Sequence, residues 1–256
     1  FYIQLGGRSI LIDPVFSDYA APVSFVNKSF PGTSPYSAAD FPEIDYLLIT
    51  HDHWDHLDYP TIMALPKIGR IITGLGTGAH FERWGFSLDK INEGDWGDIF
   101  KFDDLSIHLL PARHFSGRAL KRNQTLWTAF AIITDHRRIF MSGDSGYGPH
   151  FKDIGEAFGG FDLAALDTGQ YDEGWPYVHM KPEEAAQAAL DLKAAALLPA
   201  HIGKFSIANH SWDDPFIRIE AASREKDYRL LTPLLCQPVF LDVDDQVFEA
   251  WWKNYD

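Results

Sequence analysis

The feature that most constrains this chain is a cluster of histidines and carboxylates at residues 50–58, directly after a short apolar run. Its nine residues, Thr-His-Asp-His-Trp-Asp-His-Leu-Asp, contain three histidines and three aspartates. His51 and His53 are two residues apart, so in an extended backbone their side chains point the same way and can bind one ion. Asp55 and His56 follow directly and can bind a second ion. Chance rarely places this spacing after a buried strand, which favours a metal site over a solvated loop that happens to be rich in histidine.

Length and composition predict one folded domain over residues 1–256. Hydrophobic residues make up 46% of the chain and aromatic residues 14%, which excludes a disordered chain and supplies enough apolar material for a layered core. No apolar run approaches the roughly eighteen residues that a membrane-spanning helix needs. Phe1 is not a natural start and residues 1–5 already alternate like a strand. We therefore expect the true N-terminus, with any targeting signal, to lie upstream.

The charge of the chain limits its partners. A formal net charge of -14 repels polyanions, so binding to an extended nucleic acid is disfavoured, as is adhesion to an anionic membrane. A short nucleotide in a metal site is not excluded. The single cysteine, Cys236, rules out an intrachain disulfide. We expect a cytoplasmic protein, with attachment to the periphery of a membrane as the alternative, and a homodimer is compatible with the sequence.

The first predicted strands form a hairpin at 1–12, and the last predicted strand lies near 239–242. Three of the predicted strands between these are followed by a histidine or an aspartate that could bind metal. His114 follows one such strand and His201 follows another, which reads as buried. Asp144 follows a third strand in Ser-Gly-Asp-Ser-Gly, where the glycines let the backbone approach a ligand closely. A plain aspartate turn is the alternative for Asp144.

All of these donors are histidine nitrogens or carboxylate oxygens, a set that suits zinc, with manganese or iron as alternatives. The candidates are too many for one tetrahedral ion, and two ions that share one carboxylate account for all of them. We assign Asp144 as the shared ligand, His51, His53 and His114 to the first ion, and Asp55, His56 and His201 to the second. Two divalent ions can hold a bridging water as hydroxide and polarise a carbonyl or phosphoryl oxygen, which predicts hydrolysis.

The spacing His-x-His-x-Asp-His, followed by a single histidine, an aspartate and a histidine, resembles the metallo-β-lactamase superfamily. The closer likeness is to the zinc phosphodiesterases typified by N-acyl-phosphatidylethanolamine-hydrolysing phospholipase D. That likeness rests on segments at 13–17, 51–59, 143–147, 158–165, 179–185 and 201–205. The resemblance implies a mixed α/β (α+β) fold, the αββα four-layer sandwich in which two sheets pack face to face with helices outside. It also implies the same metal ligands.

Two departures from that family bear on the substrate. We expect the family's usual first strand, which would precede Phe1, to be missing from this chain, together with the apolar N-terminal region through which the animal phospholipase D resembles a membrane-docked enzyme. With a net charge of -14 as well, a long-chain phospholipid is disfavoured, although the aromatic loop before Pro42 could hold an acyl chain. We expect a small-molecule or lipid-like phosphodiester as the substrate.

Other chemistries on the same fold differ at particular residues. Flavodiiron-type oxidoreductases have a glutamate at the position of His53, so redox chemistry is disfavoured for this chain. Zinc β-lactamases of the commonest kind place a cysteine near Asp144, whereas Cys236 lies far along this chain. A sugar-lactone hydrolase is the main alternative to a phosphodiesterase. A binding module that has lost catalysis has little support because every predicted ligand is present.

His179 is not among the predicted metal ligands. It lies just before a helix predicted to begin near Lys181. The family that this sequence resembles also has a histidine near its substrate at this place. As a neutral imidazole it could donate to a phosphoryl oxygen, and as an imidazolium it could protonate the departing alkoxide. The alternative is a structural histidine bonded to the backbone at the helix start. Asp55 and His179 are the candidate catalytic residues.

Overall fold

The computed structural model describes residues 1–23, 25–118, 121–243 and 245–255. The strands in these residues are β1 Tyr2–Leu5, β2 Arg8–Ile12, β3 Ile44–Ile49, β4 Ile68–Gly74, β5 Ile91–Gly94, β6 Ile99–Phe102, β7 Leu105–Leu110, β8 Ala129–Ile133, β9 Arg138–Met141, β10 Leu163–Asp167, β11 Ala196–Ala200 and β12 Arg229–Leu230. They form a 5-stranded sheet in the order β1-β2-β3-β4-β5 and a 7-stranded sheet in the order β12-β11-β10-β9-β8-β7-β6.

The helices are α1 Tyr59–Ala64, α2 Gly78–Arg83, α3 His150–Phe158, α4 Pro182–Asp191 and α5 Asp214–Ala222. Among the described residues, none of these helices combines the length and the apolar character that crossing a bilayer requires. Two sheets with helices confirm the predicted mixed α/β class.

By its internal contacts the chain divides into two compact units. Unit 1 consists of Phe1–Pro111 and Phe115–Phe130, and unit 2 consists of Ala112–His114 and Ala131–Asp256. The single domain over residues 1–256 stays a prediction. The two units are described in turn below.

The sheet of unit 1 is mostly parallel, and its parallel strands end at one edge. β1 and β2 form the predicted antiparallel hairpin, after which β2, β3, β4 and β5 pair in parallel. The central strand β3 contains Leu47, Leu48 and Ile49, all completely buried, as expected for a parallel strand covered on both faces. Because neighbouring parallel strands end together, Asp13 after β2 lies beside Thr50 after β3, and Asp13 Oδ1 accepts the Thr50 amide at 2.8 Å.

Helices α1 and α2 of unit 1 share a core with this sheet. Ile62 of α1 and Phe81 of α2 belong to one buried cluster with Leu11, Leu47 and Ile49. Residues two apart on a strand point to the same face, so Leu47 and Ile49 form the apolar surface on this side of β3. Packing of α1 against this core fixes both ends of the histidine-rich loop, which connects β3 to α1.

Unit 2 repeats the same principle with different strands. β9, β10, β11 and β12 pair in parallel, so the residues that follow them lie at a common edge. Ala164, Leu166 and Leu197 on β10 and β11 are completely buried. The residues at the ends of β9, β10 and β11 include Asp144, Asp167 and His201. The strand positions predicted to carry Asp144 and His201 are therefore confirmed.

The last predicted strand, near 239–242, is wrong. Residues 239–242 contain no strand and are irregular apart from a turn at Leu241 and Asp242. Backbone groups that would pair in a strand are hydrogen-bonded to side chains instead. Gln246 Oε1 accepts the Phe240 amide at 2.9 Å, and Arg137 Nη2 donates to the Leu241 carbonyl at 3.4 Å. The edge strand of the sheet is β12, earlier in the chain.

Candidate metal-binding residues

His51 and His53 lie in the loop after β3, as the sequence predicts. His51 Nε2 and His53 Nδ1 are 2.8 Å apart, so the two rings present neighbouring nitrogens. His51 Nδ1 lies 3.0 Å from Thr50 Oγ1, whose own hydrogen is donated to Asp13 Oδ2 at 2.6 Å. The Thr50 hydroxyl can therefore only accept from His51. This hydrogen-bond network places the proton of neutral His51 on Nδ1 and leaves Nε2 with a lone pair that can bind a metal.

Asp13 fixes His56 in the same way. Asp13 Oδ2 accepts from His56 Nδ1 at 2.8 Å. A carboxylate can only accept, so His56 carries its hydrogen on Nδ1 and, when neutral, its lone pair on Nε2. Metal-binding histidines are commonly oriented by a carboxylate or carbonyl on the other ring nitrogen. The surroundings of His56 are those of a ligand.

Asp55 and His56 are spaced like two ligands of one ion. Asp55 Oδ2 and His56 Nε2 are 3.7 Å apart, which exceeds the length of a hydrogen bond. Two ligands of a tetrahedral ion with bonds of about 2.1 Å lie about 3.4 Å apart. The ring centroids of His51 and His56 are 4.2 Å apart. The loop of unit 1 thus gathers all of its predicted donors at one place.

Asp52 and Arg118 hold the backbone of this loop. Asp52 Oδ1 accepts the Gly117 amide at 2.7 Å, and Oδ2 lies 3.3 Å from His80 Nε2. Burial alone would raise the pKa of the Asp52 carboxyl, but the hydrogen bonds from His80 and Gly117 outweigh it and lower this pKa. Arg118 Nη1 donates to the Asp52 carbonyl at 3.1 Å, and its guanidinium stacks 3.8 Å from the centroid of the Trp54 ring. The shape of the loop is therefore fixed by protein contacts.

In unit 2, His114, Asp144 and His201 face one another. His114 Nε2 is 3.6 Å from Asp144 Oδ2, and His201 Nδ1 is 3.5 Å from Asp144 Oδ1. Both separations match two ligands on one ion better than a hydrogen bond. His114 Nδ1 donates to the Val178 carbonyl at 2.8 Å, which leaves its Nε2 with the lone pair. Because each oxygen of Asp144 faces a different histidine, this carboxylate has the geometry of a shared ligand.

His201 has an unusual backbone conformation. Its φ of 60° lies in the left-handed region, which costs a non-glycine residue about 1–2 kcal/mol. Gly169 packs against it so closely that a Cβ at position 169 would lie 2.3 Å from the His201 carbonyl oxygen. Gln170 Oε1 anchors the loop that follows, accepting the amides of Ile207 and Ala208 at 2.8 and 2.9 Å. Strain of this kind persists where the surroundings enforce it, and here the close packing of Gly169 holds His201 in place.

His179 lies beside these ligands, and a carboxylate holds it. Its Nδ1 donates to Asp167 Oδ2 at 2.8 Å, and the Asp167 side chain is completely buried. This bond differs from the backbone bond of the alternative interpretation. The ring centroid of His179 lies 5.1 Å from that of His114 and 5.2 Å from that of His201. With Nδ1 bonded to Asp167, Nε2 is the nitrogen of His179 that is left for chemistry.

The donors fit a metal ion by their tautomers and by their spacing. His51, His56 and His114 each engage a protein acceptor through Nδ1 and present Nε2. Their neighbouring carboxylates, Asp55 and Asp144, lie at ligand-to-ligand distances. The described residues therefore contain histidines and aspartates that could bind a metal.

Sequence reasoning missed the residues that orient the candidate ligands and His179. Asp13, Thr50 and Asp167 have no ligand spacing of their own. Asp13 and Asp167 do share one signal with the predicted ligands, since each is a carboxylate at the end of a strand. Arg118 gives no local signal, because its contacts depend on how the chain folds back over the loop.

Replacement of Asp13 by asparagine tests whether its carboxylate orients His56. The amide keeps the size of the side chain but loses the charge and one acceptor oxygen. We expect Asp13→Asn to weaken metal binding by about tenfold to a hundredfold, the usual cost of losing such a partner. Competition with a chelator measures this affinity, and circular dichroism checks the fold. Asp18→Asn, at an exposed aspartate in the same segment, is the control, and equal affinities in the two variants would contradict the role of Asp13.

Comparison with known proteins places the chain in a family. The family model for a β-lactamase superfamily domain matches residues 8–202. An uncharacterised protein of Mycobacterium tuberculosis is 38% identical over 256 residues, which cover 98% of this chain and 68% of that protein. N-acyl-phosphatidylethanolamine-hydrolyzing phospholipase D 1 of Caenorhabditis elegans is 31% identical over 217 residues, which cover 79% of this chain and 61% of that protein.

A solved structure agrees with this placement. The structure of a possible metal-dependent hydrolase of Veillonella parvula matches with a TM-score of 0.71 at 15% identity, over 92% of this chain and 94% of that chain. This likeness concerns the fold alone. The family model spans more than half of the chain and includes every predicted ligand position. The chain therefore belongs to the metallo-β-lactamase superfamily, which includes metal-dependent hydrolases, and it has the fold of that superfamily.

Proposed function

We propose that this protein is a metal-dependent phosphodiesterase in which the predicted ligands bind two ions. In this assignment the first ion is bound by His51, His53 and His114, the second by Asp55, His56 and His201, and both by Asp144. Zinc suits such a set of nitrogen and oxygen donors, with manganese or iron as alternatives.

The orientation of the donors is the observation that carries this proposal. Asp144 turns one oxygen toward His114 and the other toward His201, at 3.6 and 3.5 Å, as a carboxylate shared by two ions does. His51 and His56 have their ring hydrogens committed to Thr50 and Asp13, so each presents its Nε2 lone pair. Binding therefore requires no change of tautomer at His51 or His56, but the hydrogen bond between His51 Nε2 and His53 Nδ1 must give way to the ion.

Bound divalent ions supply Lewis acidity and an activated water for attack on an ester. The residues of the chain supply orientation and proton transfer. Asp13 and the Val178 carbonyl keep His56 and His114 in the tautomer that binds metal. Asp55, 3.7 Å from His56 Nε2, can accept a hydrogen bond from the attacking water, and it remains a candidate catalytic residue together with His179.

His179 is proposed to donate a proton to the leaving group. Its Nδ1 donates to Asp167 at 2.8 Å, which favours one ring orientation and leaves Nε2 as the atom that would carry the transferred proton. An alkoxide is a poor leaving group because it is strongly basic, and a proton from a positioned acid lowers that barrier. The Asp167 carboxylate stabilises the ring orientation before and after the transfer.

The similarity to a phospholipase D favours a phosphodiester over a sugar lactone. The Caenorhabditis elegans relative hydrolyses, by its name, an N-acyl-phosphatidylethanolamine, and this chain matches 61% of that protein. The aromatic loop before Pro42 gives mixed support for a lipid. Phe16 and Phe41 stack with centroids 5.0 Å apart and pack against the core, whereas Phe25 is 84% exposed. A small or lipid-like phosphodiester is the substrate that we propose.

A panel of four substrates tests the reaction class. It contains an artificial nitrophenyl phosphodiester, an N-acyl-phosphatidylethanolamine, a cyclic nucleotide and a sugar lactone, each assayed with and without a chelator. We expect turnover of at least one phosphodiester that the chelator abolishes and added metal restores. His201→Ala protein, prepared in the same way, controls for contaminating enzymes. Turnover of the lactone without turnover of any phosphodiester would contradict the proposal and favour the lactone hydrolase.

Substitution of His179 tests the proton donor. We expect His179→Ala to lower kcat about a hundredfold for a substrate with an alkoxide leaving group, and to change it little for nitrophenolate, which departs without a proton. Metal content should stay at the wild-type level. His136→Ala, at an exposed histidine in the turn before β9, is the matched control. Equal losses on both substrates would indicate a role in binding, and no loss on either would return His179 to a structural role.

A further inference from the structure

Asp167 is a buried carboxylate that the proposed ligand set leaves unused. It ends β10, its side chain is completely buried, and the amides of Ser145 and Gly169 donate to its Oδ2 and Oδ1 at 3.1 and 3.3 Å. Its Oδ2 also accepts from His179 Nδ1 at 2.8 Å. A carboxylate in such a place loses its hydration, and hydrogen bonds or a nearby cation must offset that loss. The three hydrogen bonds provide such an offset for Asp167, and the neighbours of its Oδ1 decide whether a cation adds to it.

The second oxygen of Asp167 faces ligands of the second proposed ion. Asp167 Oδ1 lies 3.7 Å from His201 Nδ1, and the same nitrogen lies 3.5 Å from Asp144 Oδ1. Neither distance is that of a hydrogen bond. Both approach the separation of about 3.4 Å between two ligands of one tetrahedral ion. One donor atom from each of Asp144, Asp167, His179 and His201 lies within 4.8 Å of all the others.

We propose that Asp167 is a further metal ligand, whose Oδ1 binds the same ion as Asp144 and His201. The inference rests on the proposed function, because it adds a ligand to the second ion of that assignment. His179 keeps its proposed role as proton donor and is not assigned as a ligand, and its Nδ1 is hydrogen-bonded to Asp167 Oδ2. Asp167 then joins the ion to the proposed proton donor, with one oxygen for each.

An added carboxylate changes which metal the second position prefers. With Asp167 added, the proposed ligands of the second ion are three carboxylates and two imidazoles, from Asp55, Asp144, Asp167, His56 and His201. Zinc favours four ligands, whereas oxygen-rich sets with more ligands suit manganese or iron. We therefore expect the second position to bind manganese more strongly, relative to zinc, than it would without Asp167.

Titration of the metal-free protein with cobalt tests this assignment. The titration uses Co²⁺ with a competing chelator and compares wild-type, Asp167→Asn and His179→Ala proteins. The visible absorption of bound Co²⁺ is recorded, because it grows stronger as the coordination number falls. We expect Asp167→Asn to bind one of two ions about tenfold to a hundredfold more weakly than wild type, with stronger absorption from that ion. His179→Ala is the comparison: it removes the hydrogen-bond partner of Asp167 but no proposed ligand, so it should weaken that ion clearly less than Asp167→Asn does.

Three results would overturn the assignment. The first is wild-type affinity and absorption in Asp167→Asn, and the second is an equal loss in His179→Ala, which would mean that Asp167 acts through the histidine. The third result matters if circular dichroism shows that Asp167→Asn does not fold. In that case the wild-type protein alone decides, and absorption typical of four-coordinate cobalt from both of its ions would overturn the assignment. Wild-type protein that takes up fewer than two ions would instead remove the proposed function, so the two failures are distinguishable.

Discussion

The geometry of parallel strands is the constraint on which the rest of this structure depends. Neighbouring parallel strands end at one edge of a sheet, so residues that are far apart in the sequence are brought side by side when they follow such strands. In unit 1 this brings Asp13 to the loop that contains His51 and His56. In unit 2 it brings together Asp144 and His201. Each unit acquires its donors from its own topology.

Hydrogen bonds then decide which histidine nitrogens are available. His51, His56 and His114 each have Nδ1 engaged by an oxygen of the protein, so each presents Nε2. Asp13 and Thr50 form one connected network, and the loss of one partner from a buried network leaves its neighbours unsatisfied at a cost of about 1–3 kcal/mol. The scaffold thereby holds the candidate ligands in the form that a cation would require.

The predicted donors were accessible from the sequence because their signals are local. The spacing of His51 and His53 after an apolar run needs only the period of an extended chain, and the strand before His201 is a plain apolar segment. Asp13 and Asp167 were not accessible as partners, because their roles depend on which strands pair. The prediction of a strand near 239–242 was wrong because side chains of distant residues, such as Arg137, hydrogen-bond to the backbone there.

Metal content is the most direct test of the central claim that two ions share one carboxylate. Elemental analysis of purified, metal-loaded protein is predicted to give two ions per chain, falling to about one in His201→Ala because only the second position loses a ligand of its own. Zinc, manganese or iron would each satisfy this count. About one ion per chain in the wild-type protein, with an unchanged content in His201→Ala, would contradict the account.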